Sequence, residues 1–319
     1  MTVSTGSVEK KSICRRFTIA VRYHLRGSLR VRPDLSCEAS VCTTSWWMPS
    51  PTARELLHQD RKFMNVANRA AEDCILPDSA RIESGVSFGR RVIIAGEGVV
   101  IRAGARLDAA CVIGEGVTVG LGAWVRAGAV VLRSVPAHAI VEGNPAQVVG
   151  YLDRADAERR PDARHIDIHS FANLPRPARA PLGVGRSELF LLRCIVDARG
   201  ALTVGEVPTE VPFSPARYFA VFNVPSVELR GEHAHRLCQQ FLICLHGSCR
   251  VLLDDGADRC EITLDRPDMG VFMPEMIWGT QYRYSPDAVL LVFASRPYEA
   301  EDYLRTYDEF LAERERRKG

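Results

Sequence analysis

The first half of the chain carries a repeat of six residues, and this period constrains the fold more than any other feature. Apolar residues recur every six positions from Leu76 to Val131, with one extra residue between Ile94 and Ile101, and glycine and alanine crowd the positions between. An α-helix needs a period near 3.6 and a strand a period of 2, so a period of six fits neither. It fits stacked coils with three flat faces, in which each face turns one apolar residue inward.

The repeat and its ending resemble the hexapeptide-repeat acyltransferases over about residues 74–152. The ending VPAHAIVEGNPAQVVGYLD contains Asn144, Pro145 and Ala146 at the closing turn of that family. The resemblance implies a short left-handed parallel β-helix, usually a trimer, with an acyl-coenzyme A in the groove between neighbouring helices. In this chain the groove would follow the edge formed by residues 113–146.

Acyl transfer by this domain lacks an evident base. Transfer to an amine needs a group that takes the amine proton, usually a histidine held near the acceptor. Residues 74–137 contain no histidine, and His138 lies in the terminal turn. We therefore expect a trimerising or vestigial module, with acetyl-CoA as a cofactor only if this domain is active.

Composition and charge exclude several classes of protein. The 319 residues, 46% hydrophobic with a formal net charge of +2, suit two globular domains and predict no nucleic-acid partner. No apolar run approaches the length of a membrane span, so we expect no membrane partner. The ten cysteines form no CxxC pair, which together with the lack of a secretory signal predicts a cytoplasmic protein with reduced thiols. Residues 1–73 are interpreted as a poorly defined extension without an assigned function.

The second half of the chain changes character twice. Residues 153–182 are rich in charge and then in proline, which predicts a linker. Over residues 183–313, short apolar runs alternate with turns, which indicates an all-β barrel or sandwich. The chain closes with a charged amphipathic helix that carries Leu304, Tyr307 and Leu311 along one stripe, followed by a charged tail at 314–319.

The chemistry of the second domain concentrates in Arg230-Gly-Glu-His233-Ala-His235. On a strand, residues two apart face the same side, so both histidines would point together into a barrel. This pattern has the form of the cupin motif, in which two histidines, a glutamate and a later histidine hold a metal. Here Gln239 stands in the place of the glutamate, and Trp278 stands where the last histidine is expected. Two imidazoles alone make a poor metal site, so we predict no metal and histidines that are free to transfer protons.

The motif, residues 240–256, the segment around Trp278 and residues 288–310 together resemble the sugar 3,4-ketoisomerases over essentially all of residues 183–311. The resemblance implies a cupin-type barrel, a double-stranded β-helix or jelly roll, that acts on a dTDP-4-keto-6-deoxyhexose without a cofactor and is usually a dimer. The fusion also resembles the bifunctional ketoisomerase/N-acetyltransferases of surface-polysaccharide synthesis. We therefore expect a mainly β chain, with a short left-handed β-helix, then the barrel and a C-terminal helix, assembled as a homo-oligomer.

The resemblance also implies roles for individual residues. Moving a carbonyl from C4 to C3 requires removal of the C3 proton, and a histidine is well matched to that work. His235 matches the base of the family and His233 its neighbour, while Arg230 would stabilise the developing oxyanion or, because its strand parity differs, contact phosphate. The family places a tyrosine near Arg217, which makes Tyr218 the candidate here. The predicted substrate-binding residues are Arg217, Gln239 and Trp278.

Two other functions stay open on the sequence alone. One is a sugar N-acetyltransferase that works through the β-helix, with the cupin as an accessory domain. The other is a non-catalytic module that binds a sugar nucleotide or serves assembly. The sequence leaves the configuration of the product at C4, galacto or gluco, undetermined.

Overall fold

The computed structural model describes residues 73–152, 163–171 and 173–319. The predicted extension therefore lies outside the described residues, apart from Asp73. Within the described residues the chain forms a three-faced β-helix, then two six-stranded sheets and a C-terminal α-helix. The predicted fold class, a mainly β chain with a β-helix ahead of a cupin-like barrel, is confirmed. None of the helices described has the length and apolar character that crossing a bilayer requires.

The β-helix is built from nine strands of two residues each. Strands three apart in sequence pair in parallel, which gives the three faces β1-β4-β7, β2-β5-β8 and β3-β6-β9. The second residue of each strand points inward and is buried from β3 onward, so the six-residue period is confirmed. The strands are β1 Arg81–Ile82, β2 Ser87–Phe88, β3 Ile93–Ile94, β4 Val100–Ile101, β5 Arg106–Leu107, β6 Val112–Ile113, β7 Thr118–Val119, β8 Trp124–Val125 and β9 Val130–Val131.

An antiparallel hairpin closes the β-helix. Its first strand, β10 (Ala139–Gly143), continues the face of β8, and its second, β11 (Ala146–Tyr151), lies at the edge of that sheet. This is the segment whose sequence predicts the closing turn.

The barrel consists of two sheets that enclose one apolar core. Their orders are β12-β21-β20-β23-β18-β25 and β13-β14-β22-β19-β24-β17, and β15 and β16 form a separate hairpin. The strands are β12 Arg164–Ile166, β13 Ala178–Pro181, β14 Glu188–Leu191, β15 Arg193–Asp197, β16 Gly200–Val204, β17 Arg217–Phe222, β18 Arg230–His235, β19 Gln240–His246, β20 Cys249–Asp254, β21 Arg259–Leu264, β22 Met269–Met273, β23 Trp278–Tyr282, β24 Val289–Ala294 and β25 Tyr303–Leu304.

The described part of the predicted linker, residues 163–171 and 173–182, contributes two strands to the barrel. β12 pairs in parallel with β21, β13 pairs with β14, and Ile168 and Leu182 lie in the barrel core. Both strands are short and lie at the edge of a sheet, and edge strands commonly contain polar side chains and prolines. The apolar alternation that would have revealed them is therefore missing from the sequence.

The C-terminal helix, α1 (Tyr307–Arg316), begins later than the predicted stripe. Leu304 belongs to β25, and Thr306 caps the helix with a capping box completed by Glu309. Phe310 is the fully buried residue of the helix and packs beside Trp278.

The β-helix and the barrel share a continuous core. Leu252 and Tyr282 of the barrel belong to the apolar cluster that fills the β-helix, and the rings of Tyr151 and Tyr282 meet edge to face at 5.5 Å. Two ion pairs cross the same junction at its polar rim, from Arg102 to Asp308 at 2.7 Å and from Arg133 to Glu228 at 2.6 Å.

Candidate active site

The candidate site is the space between the last strands of the two sheets, which is called the cleft here. β17 ends one sheet and β25, which pairs with β18, ends the other. The Arg217 guanidinium joins the two edges, because its Nη2 donates to the Tyr303 hydroxyl oxygen at 3.1 Å. Along β17, half-buried and exposed side chains alternate, and Phe219 and Val221 share the inward side with Arg217. The inward side of this edge therefore faces the histidine strand.

His235 is held by hydrogen bonds at both ring nitrogens and is only 2% exposed. Its Nδ1 lies 2.8 Å from Oδ2 of Asp302, and its Nε2 lies 3.0 Å from the side-chain nitrogen of Gln240. Because a carboxylate only accepts and an amide nitrogen only donates, the proton of the neutral ring sits on Nδ1. The lone pair of Nε2 therefore accepts from the Gln240 amide.

The surroundings of His235 keep it neutral. Burial, reinforced by His233, lowers the pKa of His235 to about 4, and the Asp302 carboxylate opposes that decrease. Asp302 itself accepts from the backbone N–H groups of Leu237 and Cys238, at 2.7 and 3.2 Å. The carboxylate is thus fixed by the loop after β18, and it fixes the imidazole in turn.

His233 is oriented by a β-bulge in its own strand. Gly231 pairs with Thr280 and His233 with Gly279, so Glu232 is the extra residue. The bulge turns the Gly231 carbonyl toward His233, whose Nδ1 lies 2.9 Å from that oxygen and donates to it. Burial lowers the pKa of His233, with nearby Arg305 and Arg217 acting in the same direction. Nε2 of His233 has no hydrogen-bond partner among the described residues.

Tyr303 stands over the histidine pair. Its ring centroid lies 4.3 Å from that of His235 and 5.0 Å from that of His233, and the two imidazoles are 5.0 Å apart. Arg305 stacks on the Tyr303 ring at 4.5 Å, and Tyr298 lies beside it at 5.5 Å. The arrangement places two neutral imidazoles and one phenol in a single group, rimmed by arginine.

Of the residues predicted for the site, the structure brings together His233, His235 and Arg217. Arg230 also faces inward, because the bulge shifts the strand by one residue and pairs Arg230 with Gln281, two positions from the partner of His233. The predicted difference in parity between Arg230 and the histidines is therefore wrong. The Arg230 side chain is exposed at the cleft.

Three predicted residues lie elsewhere. Tyr218 is 71% exposed on the outer face of β17, because it alternates with Arg217. Gln239 precedes β19 and its side chain donates to Glu275 outside the barrel, so the inward amide is that of Gln240. Trp278 lies on the outer face of β23 against Tyr307 and Phe310 of α1. In each case the strand register shifts the inward position by one residue.

Comparison with known proteins identifies the family to which the barrel is similar. The family model described as "FdtA: WxcM-like, C-terminal" matches residues 186–315. Over 116 residues the chain is 44% identical to the TDP-4-oxo-6-deoxy-alpha-D-glucose-3,4-oxoisomerase of Aneurinibacillus thermoaerophilus. The aligned segment covers 36% of this chain and 84% of that relative. The chain belongs to the WxcM-like family.

Two further similarities concern this WxcM-like chain. Serine acetyltransferase 4 of Arabidopsis thaliana is 37% identical over 86 residues, 27% of this chain and 24% of that protein, which fits a hexapeptide-repeat domain. A crystal structure of a 3,4-ketoisomerase from Helicobacter canadensis shares 35% identity and a TM-score of 0.40, covering 40% of this chain and 97% of that one.

The WxcM-like barrel contains one cluster of metal-ligating side chains among the described residues. His235, Cys238 and Asp302 offer ligand atoms within 4.8 Å of one another, and all three are buried. However, the Asp302 oxygens already accept three N–H groups, one of them from His235, and a cation would have to replace that proton. The set fits a hydrogen-bond network better than a cation site. The absence of a metal in the reaction stays a prediction.

The histidine at the end of the β-helix is engaged in packing. His138 has a φ of 61°, and a Cβ atom built on Gly122 would lie 2.7 Å from its Nδ1. Its ring meets Tyr307 of α1 edge to face at 5.4 Å. His138 therefore lies in the junction with the barrel.

Proposed function

We propose that the chain is a 3,4-ketoisomerase that moves the carbonyl of a dTDP-linked 4-keto-6-deoxyhexose from C4 to C3, without a metal or cofactor. The observation that carries the proposal is the pair of neutral imidazoles in one cleft, His233 and His235, each with its proton held on Nδ1. The name of the relative from A. thermoaerophilus supports the substrate class. We further propose that the product supplies deoxy-amino-sugar synthesis for a surface polysaccharide such as lipopolysaccharide.

The electrostatics of the pair suit removal of a proton from carbon. The C3–H is acidified by the neighbouring C4 ketone, and a neutral imidazole accepts the proton. The lowered pKa values of both histidines keep them unprotonated at neutral pH. As His235 becomes an imidazolium, the Asp302 carboxylate at 2.8 Å stabilises the new charge. We assign the base to His235, with the substrate taking the place of the Gln240 amide at Nε2, and a supporting role to His233.

Arginines around the cleft suit the anionic part of the substrate. A nucleoside diphosphate carries negative charge, which guanidinium groups bind through bidentate contacts. Arg230 is exposed on the inward side of β18, and Arg305 lies over Tyr303. We assign Arg230 to the diphosphate, with Arg217 placed closer to the sugar by its bond to Tyr303.

Proton NMR tests the proposed reaction. Purified protein is incubated in deuterated water with dTDP-4-keto-6-deoxyglucose, and we expect a new 3-keto species with deuterium at the exchanged carbon. His235→Ala is expected to lower turnover at least 100-fold, since general bases contribute about 10²- to 10⁴-fold. His246→Ala, an exposed histidine of the same barrel paired with Asp287, is the control and is expected to keep full activity. Unchanged turnover in His235→Ala would exclude it as the base.

The β-helix supports a second candidate activity, sugar N-acetylation, through its similarity to a serine acetyltransferase. Acetyl-CoA would then lie along the edge of residues 113–146. The packing of His138 against Tyr307 and the lack of histidine in 74–137 favour a structural role instead. Consumption of acetyl-CoA with an amino-sugar nucleotide would establish the acetyltransferase.

Two exposed apolar surfaces support assembly as a homo-oligomer. One is the outer side of the β3-β6-β9 face, where Ile93, Val112 and Val130 are half-buried. The other is the β15–β16 hairpin, with Ile195, Val196 and Leu202 more than half exposed. Surfaces of this kind mark contacts between proteins. We propose a β-helix trimer, a barrel dimer or both, measurable by light scattering. The seven described cysteines are free, which supports the proposed cytoplasmic location.

A further inference from the structure

The proposed isomerisation needs two kinds of proton transfer. One moves a proton from C3 to C4, between carbons, and the histidine pair suits it. The other protonates the C4 oxygen as the enediol forms and then removes the proton from the C3 oxygen as the new ketone forms. A second group that can both donate and accept must therefore face the two sugar oxygens. The residue predicted near this position, Tyr218, points to the outer face of the barrel.

Tyr303 has the geometry for this second role. Its Cα is the cross-strand partner of His235, and its ring contacts both imidazoles at 4.3 and 5.0 Å. A sugar carbon within reach of His235 Nε2 therefore carries oxygens within reach of a phenol on the same side of the strand pair. The other described groups around His235, Asp302 and Gln240, are already hydrogen-bonded to its ring.

The hydrogen bond from Arg217 leaves the phenol proton unused. Arg217 Nη2 donates to the Tyr303 oxygen at 3.1 Å, so that oxygen acts as an acceptor. Arginine has no acceptor, so the O–H of Tyr303 must point elsewhere. No acceptor for it lies in hydrogen-bonding range within the described part of the chain. The same guanidinium would stabilise a phenolate, because it is a fixed positive charge in contact with the oxygen.

We propose that Tyr303 is the acid and base for the sugar oxygens, an inference that rests on the proposed isomerase function. In the first half-reaction His235 takes the C3 proton, the C–H electrons form the C3–C4 double bond, and the C4 carbonyl oxygen takes the Tyr303 proton. In the second, the phenolate takes the proton of the C3 hydroxyl, the C3 carbonyl forms, and C4 takes the proton back from the His235 imidazolium. Both side chains return to their starting states, and no co-reactant is consumed.

Tyr298 is the neighbouring phenol and provides the matched comparison. It lies 5.5 Å from Tyr303 between ring centroids, is 59% exposed, and accepts from Arg305 at 3.3 Å. No ring contact joins it to either histidine in the part of the chain that is described. It is therefore positioned at the rim of the cleft, while Tyr303 lies against the imidazoles.

The test is Tyr303→Phe in the full chain, with Tyr298→Phe as the control. Phenylalanine keeps the ring contacts with His233 and His235 and removes only the hydroxyl, so a packing role predicts no change in kcat. We expect kcat to fall about 100- to 1,000-fold, the range of general acid–base catalysis, with KM and dTDP binding unchanged. Deuterium incorporation at C4 of the product is expected to slow by the same factor. Tyr298→Phe is expected to stay within threefold of the wild type.

A second variant, Arg217→Met, probes the same hydroxyl through its donor. It leaves the phenol in place and removes the charge that stabilises the phenolate, so we expect kcat to fall about tenfold. If the wild type is active and Tyr303→Phe has a kcat within threefold of it, or raises only KM, the role of Tyr303 is overturned. The proposed isomerase function would still hold. A wild-type chain that converts no 4-keto-sugar nucleotide overturns both. Thermal unfolding and dTDP binding of each variant establish that it is folded.

Discussion

Replacing Asp302 by asparagine removes one negative charge from the site with little change in shape. In the structure the Asp302 carboxylate contacts His235 Nδ1 at 2.8 Å, and both side chains are almost fully buried. The carboxylate has two effects on the ring. It fixes the proton on Nδ1, and it stabilises the imidazolium that forms when His235 takes a proton.

The magnitude follows from that contact. Hydrogen bonds to charged groups contribute about 1.5–3 kcal/mol, and two unit charges about 4 Å apart interact by about 4 kcal/mol at an effective dielectric constant near 20. Since 1.4 kcal/mol corresponds to about a tenfold change in rate, we expect Asp302→Asn to lower kcat about 30- to 300-fold. KM should change little, because the carboxylate is covered by Leu237, Cys238 and His235.

A tautomer change adds to this loss. The new amide NH₂ can face Nδ1 only if Nδ1 becomes an acceptor, which moves the ring proton to Nε2. In the wild type the side-chain nitrogen of Gln240 donates to Nε2 at 3.0 Å. In the variant Nε2–H and this N–H would be two donors facing each other. Nε2 would then no longer be able to accept a proton. A flip of the Gln240 amide would only relieve the clash between the two donors.

The assay compares kcat, KM and the pH profile of Asp302→Asn with those of Asp287→Asn. Asp287 also faces a histidine, His246, at 3.2 Å, but that pair is exposed, so its substitution should leave turnover unchanged. In Asp302→Asn the pKa of His235 should fall below about 4, because Asp302 is the group that raises it. An Asp302→Asn enzyme with a wild-type kcat would refute the role of the carboxylate.

Two further predictions concern stability. The folded pKa of His235, about 4, lies below the ordinary value of 6.5, so the unfolded chain binds a proton that the folded chain does not as pH falls from about 6.5 to 4. The free energy of unfolding should therefore decrease across that window. Urea titrations at pH 7 and pH 4.5 measure this decrease, and His235→Asn should make it smaller by about 2–3 kcal/mol. Identical pH dependence of the two proteins would contradict this. Gly122→Ala should destabilise the protein by about 2–3 kcal/mol, because φ is 59° and the new Cβ would lie 2.7 Å from the His138 ring. Gly128→Ala, with a φ of 72° and no atom within 4 Å, should lose only about 1 kcal/mol. Equal midpoints of thermal unfolding for the two variants would disprove the contact.

The fold could be predicted from sequence where local periods carry it. The β-helix repeats one apolar residue in six from Ile94 to Val131, and each of these inward residues is buried. The barrel strands near the histidines also follow their apolar runs. β12 and β13 could not be predicted this way, since their pairing partners, β21 and β14, supply the apolar surroundings.

The site could be predicted in part. His233 and His235 are two apart on one strand, and that spacing was sufficient to place them together. Asp302 and Tyr303 lie 67 and 68 positions after His235 and reach it only because β25 pairs with β18. No local pattern in the sequence indicates that pairing.

Four further differences in placement came from register. Gln240 rather than Gln239 faces His235, a choice that the alternation of inward Leu242 and Cys244 along β19 could have indicated. Arg230 faces inward because Glu232 bulges, and a bulge adds one residue that a period of two does not anticipate. Tyr218 and Trp278 were assigned inward by the resemblance, while the pleat of β17 and β23 turns them outward.

The shared core at the junction limits how freely the two halves can be exchanged. Tyr282 has its ring against Tyr151, and Leu252 completes the apolar filling of the last coil. A chimera that grafts a foreign solenoid onto this barrel would leave both side chains facing water unless it also brought a residue in the place of Tyr151. A working exchange would therefore have to carry the junction residues of both halves.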